Sequence, residues 1–434
     1  MKIIYCFALI LLTFTCSLKQ KNNISKDWSE NLTIYEVNLR QYTPQGTIKA
    51  FREHLPRLKT MGVGILWFMP IHPIGEVNRK GKLGSYYSVQ DYYEINPEFG
   101  TMDEFRSLVN EIHDLGMYII LDWVANHTSW DNPIALKNPE WYTKNDKGNF
   151  QPPPGTDWDD VIDLNYNNNE LRAYMTNAME YWIREINIDG FRCDVAGMVP
   201  IDFWESVIPR LKKIKPVFML AEWEDPALLN NIFHADYNWG LYHIMKDMAA
   251  GEKNLSHIKT YYQNPPKPYS QNSLRMNFLD NHDENSWGRI MGKHFGQLRY
   301  PLMTMLFTLP GIPMIYSGQE AIIDKQLKFF EKDTILWGEL PDTDFYKKLI
   351  SLRKNHGVFW NNNHNIEFMD SLPKGLVGFK RWTKNFTFKI VLNLSGNIQI
   401  LDSGLASGTI LLIDGFSDKK RISNYGYIVC KENT

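Results

Sequence analysis

Four short runs in this chain stop on residues able to carry charge or move protons. They are Leu121-Asp122-Trp123-Val124-Ala125-Asn126-His127, Gly190-Phe191-Arg192-Cys193-Asp194, Leu220-Ala221-Glu222, and the approach to Asn281-His282-Asp283. Taken singly, a carboxylate at the end of an apolar run reads as a helix N-cap or a surface group. Arg192 and Asp194 say more, because they lie two residues apart and so project to the same face of an extended strand. If that face is interior, the guanidinium lowers the carboxyl's pKa and keeps it ionised, as an attacking nucleophile requires.

The elements that must position these residues alternate along most of the chain. Apolar, β-branched candidate strands run over 33–38, 64–69, 117–124, 188–195, 217–222, 233–237, 274–279 and 313–317, with amphipathic stretches between them. One such stretch, 102–115, carries Phe105, Leu108, Val109 and Ile112 at helical spacing, with Asp103 and Glu104 in the first turn where the helix dipole favours them. Eight strands in this rhythm predict an α/β chain folded as a (β/α)8 TIM barrel, whose active groups sit at the carboxyl ends of the strands. Residues 128–169, rich in Asn, Asp, Pro and Trp and without a clear period, read as a long excursion after strand three, set over the barrel mouth. After about Gly357, strand-like runs such as 386–392 and 409–413, separated by Gly, Asn, Ser and Asp, predict a small C-terminal antiparallel β-domain. The expected division is 1–16 signal segment, 17–30 tether, 31–356 barrel and 357–434 β-domain.

With 47 basic and 49 acidic residues among 434, the chain has no electrostatic footprint for nucleic acid or an anionic membrane. Met1-Lys2 followed by an apolar run to Phe14 matches an export signal, too short to span a bilayer. Thr13-Phe14-Thr15-Cys16 resembles a bacterial lipobox, with Thr13 where Leu is usual. The expectation is an exported protein, periplasmic or at the cell surface, with Cys16 as a lipid anchor or cleavage by ordinary signal peptidase as the alternative. Membrane contact is expected only through that anchor. Cys193 and Cys430 are expected to serve packing rather than a disulfide.

The blocks 122–127, Val161-Ile162-Asp163-Leu164-Asn165, 190–194, Glu222 and 278–283 occur in an order that resembles the α-amylase superfamily, glycoside hydrolase family 13, and Gly84 to Tyr92 resembles its block after strand two. The resemblance implies Asp194 as nucleophile, Glu222 as acid/base and Asp283 as transition-state stabiliser. It also implies that Arg192 holds the nucleophile, that His127 and His282 bond sugar hydroxyls, and that Tyr87 stacks on the sugar. A retaining mechanism then needs Glu222 protonated, and its neighbours Ala221, Trp223 and like-charged carboxylates favour that. Asn126 and Asp163 match positions that ligate structural calcium, for which oxygen ligands are suited; no organic cofactor is implied. The excursion over 128–169, long for a loop, is short for the family. The substrate class is α-glucan or maltooligosaccharide, cleaved mainly at α-1,4 bonds. A transglycosylase or branching enzyme shares every catalytic residue, whereas a non-catalytic glucan-binding barrel would be expected to lack these carboxylates. Gly197 and Met198 stand where the family often has Lys or His, so acceptor-side preference does not carry over.

Overall fold

A computed structural model describes residues 28–434 apart from 271, 272, 289, 371, 402, 403 and 419. The signal segment, Cys16 and most of the tether lie outside the described residues. Eight short strands, β1 (Ile34–Val37), β2 (Ile65–Phe68), β3 (Tyr118–Trp123), β4 (Gly190–Cys193), β5 (Phe218–Ala221), β6 (Ala235–Tyr237), β7 (Leu274–Asn277) and β8 (Ile312–Tyr316), close into a barrel. Each pairs parallel with its sequence neighbour, and β8 returns to β1. Strands covered on both faces read as continuous apolar runs, as Ile65-Leu66-Trp67-Phe68 does.

Alternation within those runs sorts two cores. Ile65, Trp67, Ile120, Leu220 and Met314 fill the barrel interior, while Leu66, Phe68, Ile119, Leu121 and Met219 pack outward in the larger core that includes the helices. Asp122 is two residues from inward Ile120 and is paired in register with Arg192. The same alternation therefore puts both charges inside the barrel. Gly190 opens β4 at φ +147°, and a Cβ there would lie 1.8 Å from the Phe218 carbonyl oxygen, so only glycine lets β4 approach β5 this closely.

The helix predicted at 102–115 spans Met102–Asp114, started by a reciprocal Thr101–Glu104 capping box, and buries Phe105, Leu108, Val109 and Ile112. The excursion is more regular than its sequence suggests: His127–Ser129 and Val161–Asp163 form an antiparallel ribbon, and Pro133–Lys137 a helical turn. Three-residue strands are too short to show a period. The C-terminal sheet comprises β9 (Glu367–Phe368), β10 (Leu376–Trp382), β11 (Phe386–Asn393), β12 (Gln399–Ile400), β13 (Thr409–Asp418) and β14 (Arg421–Asn433), in the order β9-β10-β11-β14-β12 with β13 also on β14. It is continuous with the barrel's outer core through Phe379, Phe388 and Ile390. Arg381 ties it down by donating to the carbonyls of Thr308 and Val358.

Candidate active site

At the carboxyl ends of the strands lies a cleft of about 620 Å³ lined by Tyr87, His127, Asp194, Glu222, His282 and Asp283 together with loop residues. Its floor is Arg192, fully buried. One guanidinium nitrogen donates to Asp122 Oδ1 at 2.7 Å and to Asp194 Oδ1 at 3.0 Å. The second terminal nitrogen forms an ion pair with Glu222 Oε1 at 2.6 Å, and Nε donates to the Tyr237 hydroxyl at 3.1 Å. Trp67 lies 5.1 Å from the guanidinium carbon, a cation–π contact from below. Because β3, β4 and β5 run side by side, Asp122, Asp194 and Glu222 converge on one cation.

That sharing corrects one expectation. Arg192 does lower the Asp194 carboxyl, but burial and the neighbouring Glu222 outweigh it, and the Asp194 pKa stands well above the usual carboxylate range. Asp122, likewise buried and opposed only in part by Arg192 and His282, is pushed up to about 6. A single guanidinium does not offset the burial of Asp122 and Asp194, so both carboxyls hold a proton more readily than exposed carboxylates do.

Chain turns fix the two central carboxyls. The amide of Asp194 donates to Trp123 O at 3.0 Å and that of Glu222 to Cys193 O at 3.0 Å, so both sit one residue past the ladder. Val195 then takes a left-handed conformation, φ 37°, rare for a β-branched residue, and its amide donates to Glu222 Oε2 at 2.8 Å. Beyond this turn Gly197 faces the Trp223 indole, where a Cβ would meet ring atoms at 2.3 Å. The space that Lys or His would need on the acceptor side is thus taken by a tryptophan.

On the other side, His282 Nδ1 bonds Glu36 Oε1 at 2.5 Å, and Nε2 faces the Tyr87 hydroxyl at 2.7 Å and Asp283 Oδ2 at 3.5 Å. Burial opposes the imidazolium, yet Asp283 and Glu36 together raise His282 to about 9. A relay follows: protonated His282 donates to Tyr87, whose hydroxyl donates to Asp122 Oδ2 at 3.1 Å. His127 behaves oppositely, since burial lowers it to about 3 and it is neutral at working pH. Glu36, Trp67 and Tyr237 were not among the sequence candidates. Glu36 was visible as a lone acid inside the apolar run Ile34 to Val37.

Asn126 and Asp163 lie outside this cleft, at the base of the ribbon, where Leu164 N donates to Asn126 O at 3.0 Å. Asp163 is buried, its pKa raised by that burial, and it accepts from the Thr143 hydroxyl at 2.8 Å. A hard cation would relieve such a carboxylate, and the donors are oxygens. No cluster of three or more His, Cys, Asp or Glu suited to a metal occurs among the described residues. If calcium binds here, Asn126 and Asp163 are the side chains that would hold it.

A family model described as the α-amylase catalytic domain matches residues 14–160 and 155–215. α-Amylase 2 of Dictyoglomus thermophilum is 26% identical over 417 residues, covering 86% of this chain and 71% of that protein. The solved α-amylase from Lactobacillus plantarum has a TM-score of 0.85 at 30% identity, covering 94% of this chain and 100% of that one. A noncanonic maltogenic α-amylase from Thermotoga neapolitana has a TM-score of 0.79 at 32% identity, covering 93% and 96%. Likeness in fold along nearly the whole chain, at 30% and 32% identity to these two solved enzymes, around a cleft floored by converging carboxylates, places the chain in the α-amylase family as a glycoside hydrolase of that type.

Proposed function

We propose that the chain hydrolyses α-glucosidic bonds, mainly α-1,4, in starch-like glucans or maltooligosaccharides by double displacement, with Asp194 as nucleophile, Glu222 as acid/base and Asp283 as stabiliser of the cationic transition state. The observation that carries this reading is the convergence of Asp194 and Glu222 on Arg192 at the floor of one cleft. The reaction requires a proton on Glu222 when the glycosidic oxygen arrives and an ionised Asp194 to attack. Asp194 Oδ then bonds the anomeric carbon, the carbon–oxygen bond breaks, and Glu222 passes its proton to the leaving oxygen. In the second half Glu222 takes a proton from water, whose oxygen displaces Asp194. Arg192 holds both carboxyls, His282 and neutral His127 bond hydroxyls, and Tyr87 supplies the stacking face. Likeness to an enzyme named a maltogenic α-amylase supports the substrate class. Asp194→Asn and Glu222→Gln should each lower kcat by about a thousandfold or more with an unchanged circular-dichroism melt. Near-normal turnover in either variant would overturn the assignment.

Two further expectations belong to this proposal. Calcium, held by Asn126 and Asp163, would tie the ribbon to the barrel and take no part in the chemistry. Export with acylation of Cys16 would leave the polar residues 17–27 as a tether, because their Lys, Gln and Asn content offers no apolar face to pack.

A further inference from the structure

The cleft is walled unequally. On the Glu222 side, where the leaving group departs, the wall is the Trp223 indole, 37% exposed and packed over Gly197. Moving the other way, the Tyr87 ring stacks on Phe329 at 6.3 Å and 9°, and Phe329 meets Trp287 at 5.4 Å and Phe330 at 5.1 Å. Beyond these rings three loops meet. The loop after β2 donates Leu83 N to Phe330 O at 2.9 Å and Lys82 N to Glu331 Oε1 at 2.8 Å. Gly81, at φ +63°, has no room for a Cβ against Phe330, 2.5 Å away. From the same loop Lys80 reaches the excursion, with Nζ 2.8 Å from Asp159 Oδ1, 3.3 Å from Asp160 Oδ1 and 3.1 Å from Asp157 O. The excursion is held to meet it: Trp130 Nε1 donates to Asp159 O at 2.9 Å and Ser88 Oγ to Asp160 O at 3.0 Å. Lys80, Asp157, Asp160 and Phe330 all line the cleft.

We propose that Lys80 clasps the loop after β2 to the excursion and so closes the glycone end of the cleft, making the enzyme act from the non-reducing end of short chains. This rests on the hydrolase reading above, because the acid/base assignment of Glu222 is what labels one side the leaving-group side. A volume of about 620 Å³ suits a short oligosaccharide, and both ends of the Lys80–Asp160 pair line it. Lys80 selects by position, and the bond-breaking groups act without it. The Lys80 side chain is about one-third exposed and that of Asp159 78% exposed, so the bridge is held by several modest contacts and weakens in salt.

The test uses a maltoheptaoside with a chromophore at the reducing end, either free or blocked by an acetal at the non-reducing end. The clasp predicts that wild type cleaves the free substrate at least about tenfold better than the blocked one, that Lys80→Ala closes this gap, and that Lys80→Arg preserves it. Raising salt to about 1 M, where screening falls to about 3 Å, should narrow the gap in wild type, independently of how any variant folds. Equal cleavage of both substrates by wild type would overturn the clasp and leave the hydrolase reading intact. Cleavage of neither would overturn the hydrolase reading and the clasp with it.

Discussion

Replacing Glu36 by Gln should strip His282 of one of the two carboxylates, Glu36 and Asp283, that keep it charged. His282 stands at about 9 against an ordinary 6.5, with burial opposing its charge and Asp283 and Glu36 favouring it. At about 1.4 kcal/mol per pH unit, that displacement is worth about 3 kcal/mol in favour of the imidazolium. An opposite charge in contact accounts for about one to three pH units, so removing only Glu36 should bring His282 down by about one to two. Gln keeps the volume and can still accept from Nδ1, which isolates charge from packing. Because the folded-state pKa is raised, the stabilisation is complete below about pH 6.5 and is lost as pH climbs toward 9. Nitrogen-15 NMR of labelled histidine should show His282 titrating near pH 9 in wild type and clearly lower in Glu36→Gln. Melting temperature should decline more steeply between pH 6.5 and 9 in wild type than in the variant. A His282 that titrates near 6.5 in wild type, or identically in both proteins, would refute the account of the relay through Tyr87.

Two other outcomes are expected. With only Asn126 and Asp163 as side-chain ligands, calcium affinity should fall in the range of about 10⁻⁴–10⁻³ M; differential scanning calorimetry should show millimolar calcium raising the melting temperature of wild type and having no effect on Asp163→Asn. If Cys16 is acylated, wild type partitions with membranes and Cys16→Ala does not, as fractionation and immunoblotting would show; wild type in the soluble fraction would favour ordinary secretion.

The barrel was legible because fully covered parallel strands must be apolar throughout, and each of the eight candidate runs overlaps a strand of the barrel. Strand ends were less so. The run 188–195 continues past Cys193 on paper, but Val195 turns left-handed to offer its amide to Glu222, a demand of the site that residue type does not signal. In the C-terminal sheet, β14 holds the sheet together yet escaped notice, since Asn424 and Gly426 interrupt its alternation. Residues at strand ends were found because position alone marks them. Trp67 and Tyr237 are hidden inside strands, Glu36 stands out only as a lone acid, and the closed barrel is what shows that all three face the same interior as Arg192. The charge balance was misjudged for the same reason: sequence places Arg192 beside Asp194 but does not show Asp122 and Glu222 drawing on the same guanidinium. The Lys80 rim is formed by loops without period, so its contacts exist only in three dimensions.

The central claim is that Asp194 bonds the sugar while Glu222 manages the proton, and trapping the intermediate tests it most directly. Glu222→Gln incubated with an α-maltosyl fluoride, whose leaving group needs no acid, should accumulate a glycosyl-enzyme, since removal of the base slows attack by water. Intact mass spectrometry followed by peptide mapping should find the added sugar on the peptide containing Asp194. An adduct on another carboxylate, or turnover of the fluoride with inversion at the anomeric carbon, would contradict the account.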